Sequence, residues 1–259
     1  MSGQNEVSNW TYHHIGLLVT GKGEEKFLPS LLRSLMGSGQ CHIEVIRRIP
    51  QLSPITSPRR IHNLVKTNKS VKDSNALTIG ALAKTFLKKG GSRFVILVDD
   101  LEYRRRDIHN GVLDRYRKAL DTMLVPMGGD FSARAAVHFL INMVEAYYFA
   151  DPQAVNEVMG GELADHTGDV EDIRHPKNEL KNQFPGFDEV VHGEKIAKRL
   201  NLDLVLSNTQ TCASLRTLIK WCVISMQQPL TERFQLLSGV THPITDVQIA
   251  PYRADHDFG

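Results

Sequence analysis

The amino-acid sequence predicts an α/β protein: a mostly parallel sheet flanked by helices, followed by a mainly helical C-terminal part. Three observations carry this expectation. The run Phe94-Val95-Ile96-Leu97-Val98 is wholly apolar, as a strand is when helices cover both faces of a parallel sheet. Similar short runs alternate with helical periodicity through residues 1–150, the pattern of successive strand–helix–strand units. Beyond Asp151 the β-branched runs thin out and short helical patterns replace them. Residues 1–150 therefore read as an α/β core, and 151–259 as a mainly helical appendage packed on it.

The elements follow in order. Ile15 to Val19 reads as a buried strand, closed by the turn Thr20-Gly21-Lys22-Gly23. A helix starts near Glu24, because Phe27, Leu28, Leu31, Leu32 and Leu35 recur at helical spacing; Gly37-Ser38-Gly39 ends it. His42 to Ile46 alternates as a strand does, and Pro50 to Pro58 reads as a loop. A second helix over Ser74 to Lys88 stops at Gly90-Gly91 and leads into the Phe94 strand. Asp107 to Leu124 forms a third, with Val112, Leu113, Tyr116 and Leu120 on one face. Ala135 to Ile141 is the fourth strand, running into a helical Met143 to Ala150. In the second half, Pro152 to Met159, Glu194 to Leu200, Leu215 to Met226 and Leu230 to Gly239 read as helices. Gly160 to Pro176 reads as a loop, and Arg253 to Gly259 as a frayed tail.

Composition narrows the function classes. The chain has 259 residues, enough for a sizeable core, and its 41% hydrophobic and 23% charged fractions are those of an ordinary globular protein. A net charge of +2 supplies no global field for nucleic acid, so such a contact rests on local patches. Cys41, Cys212 and Cys222 form no CxxC pair, which argues against a disulfide framework and a structural zinc site. The polar first ten residues carry no signal pattern, and no apolar stretch approaches the ~20 residues of a membrane span. A cytoplasmic protein without membrane contact is expected.

The chemistry-bearing residues cluster where such sheets bind ligands. The Phe94 strand ends in Asp99-Asp100-Leu101-Glu102, and open α/β sheets seat ligands at the carboxyl ends of their strands. Acids packed this densely call for solvent, basic side chains or a divalent cation held by oxygen ligands. The Gly21–Gly23 turn permits close approach of a phosphate, but it is neither a dinucleotide fingerprint nor a Walker loop. Glu24 heads the apolar stripe of its helix, which aims it toward the sheet edge. Glu145 has Tyr148 and Phe149 at i+3 and i+4, so it lies on an apolar face and requires a basic partner or a cation. Asp151-Pro152 reads as an N-cap with proline at the first helical position. Arg104-Arg105-Arg106 and Arg59-Arg60, the latter with Lys66, Lys69 and Lys72, form two basic clusters suited to phosphate contacts or simply to solvation. The arginine triplet could equally neutralise the acids beside it. The histidines fall into no metal-ligand spacing, and no nucleophile motif is present.

In this order the motifs resemble the Toprim fold of topoisomerases, primases and overcoming-lysogenization-defect nucleases. More closely, the chain resembles an uncharacterised Toprim-related bacterial family. The corresponding segments are Val19-Thr20-Gly21-Lys22-Gly23-Glu24, Val98-Asp99-Asp100, and Glu145-Ala146-Tyr147-Tyr148-Phe149-Ala150-Asp151-Pro152. Cys212-Ala213-Ser214-Leu215-Arg216 with Trp221 is similar to that family's C-terminal region. The chain departs from the Toprim pattern twice. Thr20 stands where those enzymes place a glutamate, and Leu101 stands where a strict Asp-x-Asp needs an acid; Glu102 would complete Asp100-x-Glu102, and Glu24 or Glu25 would cover for Thr20.

The resemblance implies a Toprim-like sheet and a divalent-metal-dependent phosphoryl-transfer enzyme, a nuclease acting on DNA or other nucleic acid, in an antiviral or mobile-element defence setting. Asp99, Asp100 and Glu24 would be catalytic and hold Mg²⁺ or Mn²⁺ with Glu102, with Glu25 and Glu145 as supporting acids. Lys22, Arg59, Arg60, Arg104, Arg105 and Arg106 would contact the nucleic acid. A separate ATPase is the protein partner it implies, with self-association an open alternative. The competing expectation is a non-catalytic Toprim-like module that binds an ATPase or nucleic acid through a degenerate metal site. A small-molecule phosphate-ester hydrolase is a third.

Overall fold

Four strands, β1 (His13–Val19), β2 (Cys41–Arg48), β3 (Arg93–Leu101) and β4 (Ala135–Ile141), make one wholly parallel sheet in the order β2-β1-β3-β4. The computed structural model describes residues 11–36, 39, 41–51, 74–101, 109–226 and 237–249. The helices between the strands are α1 (Lys22–Leu31), its one-turn continuation α2 (Arg33–Met36), α3 (Ser74–Leu87) and α4 (His109–Leu124). Ile15 pairs with Phe94 and Val19 with Val98, while Val95 to Leu101 pair with Ala135 to Ile141. The α/β class expected from the sequence is thus the observed one.

Pleat alternation divides the core in two. Ile15, Leu17, Val19, Phe94, Ile96 and Val98 face one layer, where Phe27, Leu28 and Leu31 of α1 pack. Leu18, Val95, Leu97 and Leu101 face the other, with Ile79 and Phe86 of α3 and Val112, Tyr116 and Leu120 of α4. The second half adds α5 (Pro152–Met159), α6 (Pro176–Gln183), α7 (Val191–Ala197), α8 (Leu202–Val205) and α9 (Ala213–Ser225). Leu180, Ile196, Leu215, Leu218 and Trp221 from these helices join the α1 layer, and the Trp221 ring meets Phe94 edge-on at 6.1 Å. No helix among the described residues is long and apolar enough to cross a membrane.

Five segments differ from the sequence expectation. After β4 the chain does not run on as an α-helix: Asn142 and Met143 adopt φ of 59° and 76°, and Val144–Ala150 follows as 3₁₀ turns. The expected loop after Gly160 contains a 3₁₀ turn, Val170–Asp172. Helices α6 and α8 went unforeseen, because α6 (PKNELKNQ) buries only Pro176 and Leu180 and α8 is a single turn. The helix expected over Glu194 to Leu200 lies at Val191–Ala197. The expected loop beyond Gln51, the Leu230 helix up to 236 and the tail lie outside the described residues.

Candidate functional site

The chain leaves β1 toward β2 on one side and leaves β3 toward β4 on the other. This reversal opens a crevice between the carboxyl ends of β1 and β3, the place where parallel sheets seat ligands. Thr20 and Asp99 meet there, bridging β1 to β3: the Thr20 hydroxyl donates to Asp99 Oδ1 at 2.7 Å. Gln51 Nε2 donates to the same oxygen at 2.9 Å and to the Asp100 carbonyl at 3.0 Å. Tyr116 of α4 donates its hydroxyl to Asp99 Oδ2 at 3.0 Å. Asp99 is fully buried, and neutral donors occupy both its oxygens.

The two aspartates face opposite layers. Leu97 and Leu101 belong to the α3–α4 layer and Val98 to the α1 layer. Alternation along β3 therefore sends Asp99 toward Tyr116 and puts Asp100 on the α1 side. Asp100 is partly exposed, and its N–H donates to the Thr20 hydroxyl at 3.4 Å.

Glu24 sits in the first turn of α1, only 3% exposed. The helix begins at Gly21, extended at φ −106° and ψ 161°, with no side-chain cap. A Cβ on residue 21 would strike Glu24 Oε2, so the carboxylate folds back over the Gly21 backbone. This is the glutamate half of a capping box. Burial pushes the Glu24 carboxyl above its ordinary range; its own N–H opposes this, the charge of Asp99 reinforces it, and the Gly21 N–H opposes it again. The amides that would cradle a phosphate at this helix start already serve a carboxylate of the protein.

Glu145 arrives from the other side of the crevice. The left-handed pair Asn142-Met143 reverses the chain sharply at the end of β4, and Val144 then packs over the first turn of α1, within 3.6 Å of where a Cβ on Gly23 would lie. Glu145 is 3% exposed and its Oε2 has no hydrogen-bond partner among the described residues. Burial pushes its pKa up to about 7, with the charge of Glu24 adding and that of Lys177 subtracting. Lys177 itself is ion-paired with Glu189. The nearby Tyr148 hydroxyl donates to the Gly193 carbonyl at 3.1 Å, and burial together with the charges of Glu145 and Glu24 keeps it protonated.

The remaining candidates separate. Lys22 is exposed at the start of α1. Glu25 pairs with Arg48 at 3.3 Å, both about two-fifths exposed. Glu102, Arg104, Arg105, Arg106, Arg59 and Arg60 lie outside the described residues. Among the described residues no three His, Cys, Asp or Glu side chains gather as a metal-binding group; with Asp99 and Asp100 on opposite layers, Glu24, Asp99 and Asp100 do not form one three-carboxylate centre. Asp151 caps α5 as expected, accepting from Ala154 N at 3.2 Å, and its second oxygen accepts from Asn201 N at 2.8 Å. Gln51 and Tyr116 escaped the sequence reading. A phenol on the otherwise apolar stripe of α4 was the available signal, since a buried hydroxyl requires an acceptor. A second buried acid, Glu171, is pushed up to about 7 by burial and by Asp169, but it is spent on structure. It accepts from Tyr147 Oη at 2.8 Å and from Ser214 N at 3.0 Å at the start of α9.

No curated protein and no solved structure matches the chain. A family model described as "Domain of unknown function (DUF4276)" matches residues 19–221, from the last residue of β1 to Trp221 in α9. The chain belongs to that family.

Proposed function

We propose that this protein is a Toprim-like, divalent-metal-dependent phosphoryl-transfer enzyme acting on nucleic acid. The observation that carries the reading is the pair of buried carboxylates, Glu24 and Glu145, at the carboxyl edge of the sheet. Neither forms an ion pair among the described residues, and Glu145 keeps an oxygen without a partner. Two acids buried within each other's field are stable only with a proton or a cation between them. Mg²⁺ or Mn²⁺ suits the second case, being commonly held by one or two carboxylates and completed by water and phosphate oxygens. Bound there, the metal would polarise a phosphate and lower the pKa of a water. Asp100, on the same layer, faces the same space, while Thr20, Gln51 and Tyr116 fix Asp99 as a charged wall of the crevice. Exposed Lys22 at its lip is placed for a phosphate contact. The Toprim likeness itself rests on motif order, and a defence role with a separate ATPase partner extends the same likeness.

The test is cleavage of labelled single- and double-stranded DNA and RNA by the full chain, with and without Mn²⁺. Metal-dependent cleavage that falls about a hundredfold or more in Glu24→Gln and Asp100→Asn is the expected result. Cleavage that survives both substitutions, or none on any substrate, overturns it. A second reading, a non-catalytic module that binds nucleic acid or an ATPase, draws on one observation: Asp99 accepts from three neutral donors, and Thr20 supplies one of them. Nucleic-acid binding without cleavage would favour that alternative.

A further inference from the structure

We infer that Glu24 and Glu145 together form the cation seat, and that Asp99 is not a ligand in it. The inference rests on the metal-dependent reading above and assigns its ligands. A ligand needs a lone pair directed at the ion. Asp99 accepts two hydrogen bonds at Oδ1 and one at Oδ2, and the lone pair left on Oδ2 lies in the layer of α4, where Tyr116 already donates to that oxygen. Glu145 is the reverse case. It is 3% exposed, its Oε2 is unpartnered among the described residues, and it follows Val144, which packs over the first turn of α1. Leaving a desolvated carboxylate oxygen without a partner costs a few kcal/mol, a cost that a bound proton offsets at low pH and a cation offsets above it.

The surroundings point to the kind of cation. The first turn of α1, over which Val144 packs, carries a second buried carboxylate, Glu24, already turned back over Gly21. Lys177, a described cationic side chain that acts on Glu145, is paired with Glu189. An anion is excluded by two acids, and a neutral ligand would leave their repulsion in place. A compact divalent cation satisfies both, and held by one or two carboxylates it keeps several waters. The strained reversal at Asn142-Met143 has the same sense: left-handed backbone at non-glycine residues persists where a functional side chain must be aimed, and the side chain it aims is Glu145.

The experiment is Mn²⁺ titration of the full chain by calorimetry, paired with melting curves with and without Mn²⁺, on wild type, Glu145→Gln, Glu24→Gln and Glu25→Gln. Wild type should bind Mn²⁺ saturably and melt several degrees higher with it. Glu145→Gln and Glu24→Gln should each weaken binding about tenfold or more and lose the melting shift. Glu25→Gln, in the partly exposed pair with Arg48, should behave as wild type. Metal-free Glu145→Gln should melt at or above wild type at about pH 8, which separates a lost ligand from a lost fold. Wild-type affinity in Glu145→Gln overturns the seat; if binding is then lost in Asp100→Asn, the metal-dependent reading survives without it. Wild type that binds no Mn²⁺, alone or with nucleic acid, overturns both. Binding as described without cleavage of any substrate leaves the seat standing and removes the phosphoryl-transfer reading.

Discussion

Asp99 shows how neutral donors help to keep a carboxylate in a fully buried place. Three of its donors come from distant places in the chain: Thr20 at the end of β1, Gln51 beyond β2 and Tyr116 in mid-α4. Each donor satisfies a lone pair that burial took from water, so removing one exposes the desolvation cost in full. Thr20→Val, which keeps the shape and deletes the hydroxyl, should cost about 1–3 kcal/mol in denaturant unfolding; a loss below about 0.5 kcal/mol would mean that water replaces the hydroxyl. Glu145 makes the opposite case, and its signature is pH dependence. Its folded pKa, about 7, lies above its ordinary 4.5, so the folded state binds the proton more tightly than the unfolded one. The stability it contributes is complete below about pH 4.5 and is lost as pH rises through about 7. Metal-free Glu145→Gln should therefore gain on wild type across that window, by on the order of 3 kcal/mol at its upper end. Unfolding curves at pH values spanning the window test this; a constant difference between the two proteins would contradict it.

At the scale of elements, the turn after β4 is the place where local rules are broken. Met143 holds φ 76° and ψ 162°, a region that only glycine enters cheaply. Met143→Gly should then stabilise the protein by about 1 kcal/mol, net of the entropy glycine adds to the unfolded chain. A loss instead would show that the methionine side chain contributes more by packing than its backbone costs, and melting curves decide. Nothing in Ile141-Asn142-Met143-Val144 announces this turn, because the sequence contains neither glycine nor proline there; periodicity simply carried the expectation on into a helix. The strands and their flanking helices were legible for the converse reason. Apolar runs of five to seven residues in this fold are buried on both faces, so burial itself is written in the composition. The site was legible in part. Glu24 and Glu145 stood out as acids on apolar stripes, a contradiction visible in one dimension. The division of Asp99 from Asp100 depends on which helix layer each pleat meets, and that is settled only by the sheet order. Gln51 and Tyr116 are joined to Asp99 across 48 and 17 residues of chain, with no local pattern linking them.

At the scale of the whole molecule, the sheet cannot be separated from the helices that follow it. The layer on the α1 side is completed by Phe184, Phe187, Ile196, Leu215, Leu218 and Trp221, all buried. The last described segment closes the open side of β4: the Gln248 amide donates to the Val137 carbonyl at 2.6 Å and accepts from its N–H at 2.8 Å, as a neighbouring strand would. An edge left bare would expose those groups and a hydrophobic strand behind them. The second half thus serves as one wall of the core as well as the platform for Lys177 and Gly193 beside the site. Deleting it would uncover Phe94, Ile96, Ala136 and Leu140 on one sheet face at once. A chain ending at Ala150 should show no cooperative unfolding transition, although every strand is present, and Trp221→Ala in the full chain should cost about 3–5 kcal/mol. Circular dichroism melts of both proteins test the point. A sharp transition in the shortened chain would establish the first 150 residues as a self-sufficient domain and recast the C-terminal helices as an attachment whose removal leaves Glu24 and Glu145 in place.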